Sequence, residues 1–277
     1  MTLTLLDSNL NVRSLLRGGY FPEVSLLPTV VGMERIALIT GAGRGIGAAT
    51  ACELARHGYH VIVNYRSDTA AAEQVVERIT AAGGRARAVR ADVQDAQQVA
   101  RMIADCPRVD ALVCNANVPP PFAPLTEMAW DDFAGKLTGE LAAVFHVTRA
   151  ALARMREQGG GGRIVYVSSL SADLVRQGAI AHASAKAALN VFAQHVAAEA
   201  GAWGVAVNTV APGAVRTEGS AAVRTPEVEA ELGRASVLGR MLDPEDVAAV
   251  VVAVLDGGFR AVSGVRIPVD AGRRVLT

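Results

Sequence analysis

A glycine-rich turn between an apolar run and a helical pattern constrains this chain more than any other feature. The turn is Thr40-Gly-Ala-Gly-Arg-Gly-Ile-Gly47; it follows the apolar run from Ile36 to Ile39 and opens a helical pattern from Ile46 to His57. Glycines permit a tight turn and a close approach of the backbone to a pyrophosphate, and free N–H groups at the helix start bind the anion. A strand, a glycine turn and a helix in this order predict a dinucleotide-binding site.

From residue 35 onward, short apolar runs alternate with helical patterns. Strands are predicted at residues 35–40, 60–65, 86–91, 109–114, 163–168, 205–209 and 264–269, and helices at 45–57, 68–82, 95–105, 127–157, 180–201 and 244–256. The strand runs are almost continuously apolar, as in parallel strands that are buried on both faces. The pattern predicts an α/β domain with a doubly wound parallel sheet of seven strands, whose ligand lies at the carboxyl ends of the strands.

The first 33 residues do not share this pattern. They contain Gly18-Gly19, Pro22, Pro28 and Gly32 and show no sustained hydrophobic period. We therefore predict a flexible N-terminal extension over 1–33 and a single domain over 34–277. Three explanations of the extension stay open: a flexible arm, a partner-binding arm, or the product of an upstream start codon.

Composition narrows the classes of partner and compartment. The 27 Lys and Arg balance the 27 Asp and Glu, so binding to nucleic acid through a general positive field is not expected. The longest apolar run, Val247 to Leu255, is too short to span a bilayer, and the N-terminus lacks the pattern of a secretory signal. The three cysteines form no CxxC pair, which favours reduced thiols in the cytoplasm.

The end of the second predicted strand bears on the choice of cofactor. An NAD site usually has an acidic residue there, whereas this chain has Asn64, Tyr65 and Arg66, and Arg44 lies inside the glycine turn. Two guanidinium groups near the adenosine ribose suit a 2′-phosphate, which predicts NADP(H). The alternative is that both are ordinary surface arginines, since all basic residues of the chain except Lys136 and Lys186 are Arg.

Polar residues at three further strand ends complete the predicted site. Asp92-Val93 follows the third strand, where Asp92 either contacts the edge of the adenine ring or caps a helix. Asn115-Ala116-Asn117 ends the fourth strand, where it either lies beside the nicotinamide ribose or forms an ordinary turn. Ser169 ends the fifth strand. His182 begins a helix, and Lys186 lies one turn later on the same face, so a hydroxyl, an imidazole and a cation converge. The alternative for His182 is a structural histidine.

Taken together, these residues resemble the short-chain dehydrogenase/reductase family over residues 34–277, and the 3-oxoacyl-carrier-protein reductase type in particular. The glycine turn matches the family's cofactor fingerprint, and Ser169 and Lys186 match its catalytic serine and lysine. The segment Asn208 to Thr217 resembles the loop that covers the nicotinamide, and Val269 to Gly272 resembles the C-terminal Val-Asp-Gly-Gly of the family. The resemblance implies a three-layer Rossmann fold, NADP(H) and a homodimer or homotetramer. The cofactor-binding residues it implies are Thr40, Gly41, Gly43, Arg44, Gly45, Ile46, Gly47, Tyr65, Arg66, Asp92, Val93, Asn115, Ala116, Asn117, Lys186, Pro212, Gly213, Val215 and Thr217.

The departures from the family fall on the chemistry. His182 occupies the position of the tyrosine that gives a proton to the carbonyl oxygen, and the family's active-site asparagine aligns with Lys136. Histidine can also act as a general acid, with a pKa that Lys186 should lower, and reduction should then be faster at mildly acid pH. Lys136, counted here as a fourth catalytic residue, could supply a proton or bind an anionic substrate group.

Three functions therefore remain open. The first is an NADPH-dependent reductase acting on the carbonyl of a small or carrier-bound acyl or polyketide-like substrate. The second is a non-redox enzyme on the same scaffold, such as a dehydratase, isomerase or cyclase, and the third is an inactive cofactor-binding partner subunit. The segment Ala214 to Arg240 should cover the substrate, and Arg176 and Arg216 could bind an acidic group on it. Three arginines of the fourth predicted helix either bind an acidic carrier protein or face solvent: Arg149, Arg154 and Arg156.

Overall fold

The structure is a computed structural model that describes residues 34–219, 225–256, 258–259 and 261–276. The predicted extension over 1–33 and residues 220–224 of the predicted substrate cover lie outside the described residues. Within the described ranges, no helix is long and apolar enough to cross a membrane.

A parallel sheet of seven strands runs through the domain. The strands are β1 (Ile36–Ile39), β2 (His60–Tyr65), β3 (Arg85–Arg90), β4 (Ala111–Cys114), β5 (Gly162–Val167), β6 (Val205–Pro212) and β7 (Arg266–Val269). Their order across the sheet is β3-β2-β1-β4-β5-β6-β7. The order reverses between β1 and β4, which opens a crevice beyond the carboxyl ends of these two strands. The predicted doubly wound parallel sheet is confirmed.

Helices cover both faces of this sheet. They are α1 (Gly45–Arg56), α2 (Thr69–Ala81), α3 (Ala96–Ala104), α4 (Trp130–Gln158), α5 (Ile180–Ala200), α6 (Pro226–Arg234) and α7 (Pro244–Leu255). Apolar residues of α3, α4 and α5 form one core with one sheet face, while those of α1, α2 and α7 form a second core with the other. The three-layer Rossmann fold is therefore confirmed.

The direction of α4 places its first turns beside the crevice. The side chain of Gln158 bonds to the backbone of Val109 just before β4, whereas Lys136 bonds to the backbone of Val118 just after β4. The helix thus runs antiparallel to the strands, and only its amino-terminal half approaches the carboxyl ends where a ligand is expected.

Two of the differences from the sequence prediction have a clear physical cause. Strand β6 continues to Pro212, beyond the predicted end at 209, because its last residues pair with Pro268 and Val269 of β7. Helix α6 falls inside the segment predicted only as a substrate cover. Its start signal is present in the sequence: the side chain of Thr225 accepts a hydrogen bond from the Val228 N–H, and Pro226 follows at the first helical position.

Candidate active site

A cleft of about 630 Å³ lies at the carboxyl ends of the strands. It is lined by almost every residue that the sequence predicts for the site, from the glycine turn through Asn115 and Ser169 to the loop after β6. The predicted residues absent from its lining are Thr40, Gly47 and Lys136. The fold therefore brings together residues from the carboxyl ends of six strands, β1 to β6, the first and last of them more than 170 positions apart in the chain.

The glycine turn requires glycine at defined positions. Gly41 has φ +62°, and a Cβ built there would lie 2.9 Å from the Cα of Ala116. A Cβ at Gly47 would lie 2.5 Å from both the Gly41 carbonyl oxygen and the Asn115 Nδ2. Gly43 differs, because its Cβ would meet no atom closer than 3.5 Å. Close contacts within the protein thus explain why residues 41 and 47 are glycine, whereas Gly43 faces the cleft.

Thr40 and Asn115 tie the turn to the end of β4. The Thr40 Oγ1 accepts hydrogen bonds of 3.0 Å from the N–H groups of Asn115 and Ala116. The Asn115 Nδ2 donates to the carbonyl oxygens of Thr40 and Gly41, each at 3.0 Å. These two predicted cofactor residues therefore shape the turn through the protein's own hydrogen bonds.

The start of α1 fits a bound pyrophosphate. Arg44 is its N-cap residue and makes no capping hydrogen bond through its side chain, and the first turn carries no acidic residue. The side chains of Arg44 and Arg66 are exposed at the rim of the cleft. Asn64 is buried instead: its Nδ2 donates to the carbonyl oxygens of Val89 and Ala91, so it joins β2 to β3. The residues present suit a dinucleotide with an additional phosphate near Arg44 and Arg66.

Ser169, His182 and Lys186 all line the cleft. The Ser169 Oγ accepts a hydrogen bond of 3.1 Å from the Ser171 N–H, which leaves its own hydroxyl hydrogen available. The His182 ring lies 6.2 Å from the Phe122 ring, centroid to centroid, and its Nδ1 is buried with no hydrogen-bond partner among the described residues. Buried polar atoms normally have a partner, so this unpaired nitrogen, on a residue that lines the cleft, marks His182 as a functional candidate.

The surroundings of His182 keep its imidazole neutral. Burial, followed by the charges of Lys186 and Lys136, lowers its pKa from 6.5 to about 4. The expected effect of Lys186 is thus present, and burial adds to it. At neutral pH the ring carries one N–H, and the imidazolium form becomes populated only near pH 4. A faster reduction that depends on the imidazolium form is therefore expected near pH 4, and not at the mildly acid pH predicted from the sequence.

A buried glutamate that the sequence reasoning missed connects the chain's two lysines. The Lys186 Nζ donates to the Glu140 Oε1 at 2.5 Å, and the Lys136 Nζ donates to the Glu140 Oε2 at 2.5 Å. The solvent-exposed fraction of the Glu140 side chain is 1%. The spacing of Lys136 and Glu140, four residues apart on a helix, was a usable signal, because such pairs share a helix face. Their contact with Lys186 is visible only in the fold.

Lys136 does not enter the cleft as the resemblance suggested. Its ammonium also donates to the Asn117 Oδ1 at 2.8 Å and to the Val118 carbonyl oxygen at 2.7 Å. The side chain of α4 that reaches Lys186 is Glu140, one turn beyond Lys136. The α4 position that faces Lys186 therefore holds a carboxylate.

Several arginines considered for substrate binding have other contacts. Arg216 pairs with Glu229 and, at 3.1 Å, with the Asp243 carboxylate, so it ties α6 to the start of α7. Arg156 lies over the Trp203 ring at 5.3 Å in the last turn of α4, at the end remote from the cleft. Arg176 lies over the Phe122 ring at 4.7 Å, near His182.

Comparisons with known proteins agree with this arrangement. The family profile described as enoyl-(acyl carrier protein) reductase matches residues 41–274. The short-chain reductase protein NovJ of Streptomyces niveus is 38% identical over 267 residues, which cover 91% of this chain and 98% of that protein. Versicolorin reductase 1 of Aspergillus parasiticus is 36% identical over 256 residues, covering 86% and 95%.

A solved structure matches the fold closely. A short-chain dehydrogenase from Burkholderia cenocepacia, crystallised in complex with NADP, superposes with a TM-score of 0.80 at 31% identity, covering 87% of this chain and 98% of that one. The profile, the relatives and the shared architecture assign the same class of enzyme. The chain belongs to the short-chain dehydrogenase/reductase family of oxidoreductases.

Proposed function

We propose that this protein is an NADP(H)-dependent carbonyl reductase that uses Ser169, His182 and Lys186 on its substrate and cofactor. The observation that carries the proposal is that these three residues and the glycine turn line the same cleft. Bound NADPH would supply the hydride that adds to the carbonyl carbon.

The residues of the chain would act on the carbonyl oxygen. The Ser169 hydroxyl donates one hydrogen bond to it, and the neutral His182 ring donates a second through its N–H, which stabilises the negative charge that develops there. Because a ring with a pKa of about 4 is almost entirely neutral at pH 7, the proton that completes the alcohol comes from solvent. Lys186 lines the cleft beside them and would hold the nicotinamide ribose.

Selectivity for NADP(H) is attributed to Arg44 and Arg66. Both are exposed at the rim of the cleft, and Tyr65 and Asp92 complete the wall on that side. Guanidinium groups bind phosphate oxygens in a bidentate way, whereas a ribose hydroxyl would call for a carboxylate. The NADP complex of the Burkholderia relative supports this choice.

The substrate would be a small or carrier-bound acyl or polyketide-like ketone with an aromatic or acidic part. Phe122 is 55% exposed, lies next to His182 and carries the Arg176 guanidinium on its ring face. This pair offers an apolar surface and a positive charge next to His182. The names of the reductase relatives are consistent with such a substrate. We further propose that the protein acts in the cytoplasm as a homodimer or homotetramer.

The proposal is tested by titrating the purified protein with NADPH and NADH and then following nicotinamide absorbance with 3-oxoacyl and aromatic ketones between pH 5 and 9. We expect tighter binding of NADPH and its consumption with at least one ketone, reduced at least a hundredfold in His182→Ala. Tight NADPH binding without consumption would favour an inactive partner subunit. Product formation without a change in absorbance would favour a dehydratase, isomerase or cyclase.

A further inference from the structure

Two hydrogen bonds inside the protein fix the ammonium group of Lys186. Its Nζ donates to the Glu140 Oε1 at 2.5 Å and to the Val167 carbonyl oxygen at 3.0 Å. An ammonium has three hydrogens, so one remains. Lys186 lines the cleft, and the direction of the third N–H is determined by the two that are already bound. Glu140 therefore decides how Lys186 meets a ligand.

Lys136, by contrast, has no hydrogen left for a ligand. Its three N–H groups are used by the Glu140 Oε2, the Asn117 Oδ1 and the Val118 carbonyl oxygen, all within 2.8 Å. The Val118 N–H also donates to the Glu140 Oε2 at 3.2 Å. Lys136 and Glu140 together hold the segment after β4 that lines the cleft.

The charges of this cluster explain why two lysines surround one carboxylate. Burial acts to raise the pKa of Glu140, but Lys186 and Lys136 outweigh it and hold that pKa below its ordinary value, so the carboxylate is ionised. A Glu140–Lys186 pair alone would have no net charge. With Lys136 included, the cluster carries a net charge of +1 behind the cleft. Leaving a buried charge unpaired is costly, and so the three groups depend on one another.

We propose that Glu140 is a positioning residue that orients the Lys186 ammonium toward the cofactor, and that Lys136 acts through Glu140 as its counter-charge and makes no contact with substrate. This inference rests on the proposed function only in taking a nicotinamide cofactor as the ligand of the cleft. The charged groups that face His182 are Lys186, Lys136, Glu140 and Arg176. Changes in the cluster should therefore be visible in the titration of His182 itself.

The test compares Glu140→Gln, Lys136→Met and the double variant, with Glu53→Gln as the control. Glu53 forms an exposed pair with Arg56 on α1 and is remote from the cluster. NADPH affinity is measured by fluorescence titration, and the His182 imidazole is titrated by NMR, its resonance being assigned by its loss in His182→Gln. Both measurements are independent of turnover.

Glu140→Gln is expected to weaken NADPH binding about tenfold, because the amide holds Lys186 less firmly, and to move the His182 pKa further down. Lys136→Met is expected to raise the His182 pKa by about one unit, because one cation is lost, with a smaller change in NADPH affinity. The double variant loses one positive and one negative charge, so its His182 pKa should return close to the wild-type value. It also keeps the experiment decisive if Glu140→Gln does not fold.

Two results would overturn the proposal. One is an unchanged NADPH affinity and an unchanged His182 titration in Glu140→Gln; if that variant is unfolded, the corresponding result is an unchanged NADPH affinity in the double variant. The other is a Lys136→Met variant whose kcat falls while NADPH affinity and the His182 titration stay unchanged, because Lys136 would then act on the substrate. If no ketone is reduced but Glu140→Gln still weakens NADPH binding, the positioning role stands and the reductase assignment fails.

Discussion

The carboxylate of Glu140 lies 2.5 Å from the ammonium of Lys186, although 46 residues separate them in the chain. The contact joins α4 to α5 beneath the cleft, and Lys136 joins the same carboxylate from one turn earlier in α4. A buried cluster of two cations and one anion thus lies directly behind His182. Its charge is part of the reason that the imidazole is neutral at physiological pH.

Replacing His182 by tyrosine should increase the rate of carbonyl reduction. A neutral imidazole with a pKa of about 4 is a poor proton donor, whereas a phenol beside Lys186 can both bond to the carbonyl oxygen and transfer its proton. We expect kcat/KM for a reducible ketone to rise about tenfold or more at pH 7 in His182→Tyr. The comparison is with His182→Phe, which fills similar space without a donor. Equal activity of the two variants would show that proton donation is not limiting.

The stability of the protein should depend on pH through His182. Its pKa is about 4 in the folded state and 6.5 in the unfolded state, so between these values only the unfolded chain binds a proton at this site. The free energy of unfolding should fall by about 2 to 3 kcal/mol from pH 6.5 to pH 4 on this account. Urea unfolding across that range should show a smaller fall in His182→Gln. Parallel curves for the two proteins would contradict the burial of a neutral ring.

Substitution of Gly47 by alanine should disrupt the turn. The new Cβ would lie 2.5 Å from the Gly41 carbonyl oxygen and from the Asn115 Nδ2, so the turn and the end of β4 would have to move apart. We expect a loss of about 2 kcal/mol in the free energy of unfolding, together with weaker NADPH binding. Gly135→Ala in α4 is the matched control, because a Cβ there meets nothing within 4 Å. That variant should gain about 0.5 to 1 kcal/mol.

Exchange of the rim arginines should separate the two nicotinamide cofactors. Arg44→Ala and Arg66→Ala should each weaken NADPH binding about tenfold through loss of a charge-assisted bond, and leave NADH binding almost unchanged. Arg56→Ala, at the far end of α1, is the control for the loss of a surface charge. An equal effect on both cofactors would mean that these arginines do not contact the 2′-phosphate.

A strained alanine at the C-terminal side of β7 offers a stabilising change. Ala271 has φ +53°, a left-handed conformation that costs an L-residue about 1 to 2 kcal/mol, and the family element it resembles has glycine there. Ala271→Gly should raise the free energy of unfolding by about 0.5 to 1 kcal/mol, after the larger entropy of the unfolded glycine chain is subtracted. Ala253→Gly, at an exposed position of α7, should instead lower it by about 1 kcal/mol. Thermal and urea unfolding of the three proteins measure both differences.

Local patterns in the sequence determined most of the architecture. Continuous apolar runs mark strands that are buried on both faces, and the glycine turn at Thr40 to Gly47 is a local device whose neighbours in sequence are also its neighbours in space. For that reason the strands and the cleft-lining residues were predictable to within a few positions. Strand β6 was predicted too short because its last residues are fixed by pairing with β7, which lies more than fifty residues later in the chain.

The tertiary structure alone decided the electrostatics of the site. Nothing local in the sequence shows that the carboxylate of Glu140 reaches Lys186, or that all three hydrogens of Lys136 are used inside the protein. The pKa of His182 likewise depends on burial and on charges brought in from two other positions in the chain. Residue types fix which chemistry is available, but the distances and desolvation that set protonation and orientation exist only once α4 and α5 have packed against the sheet.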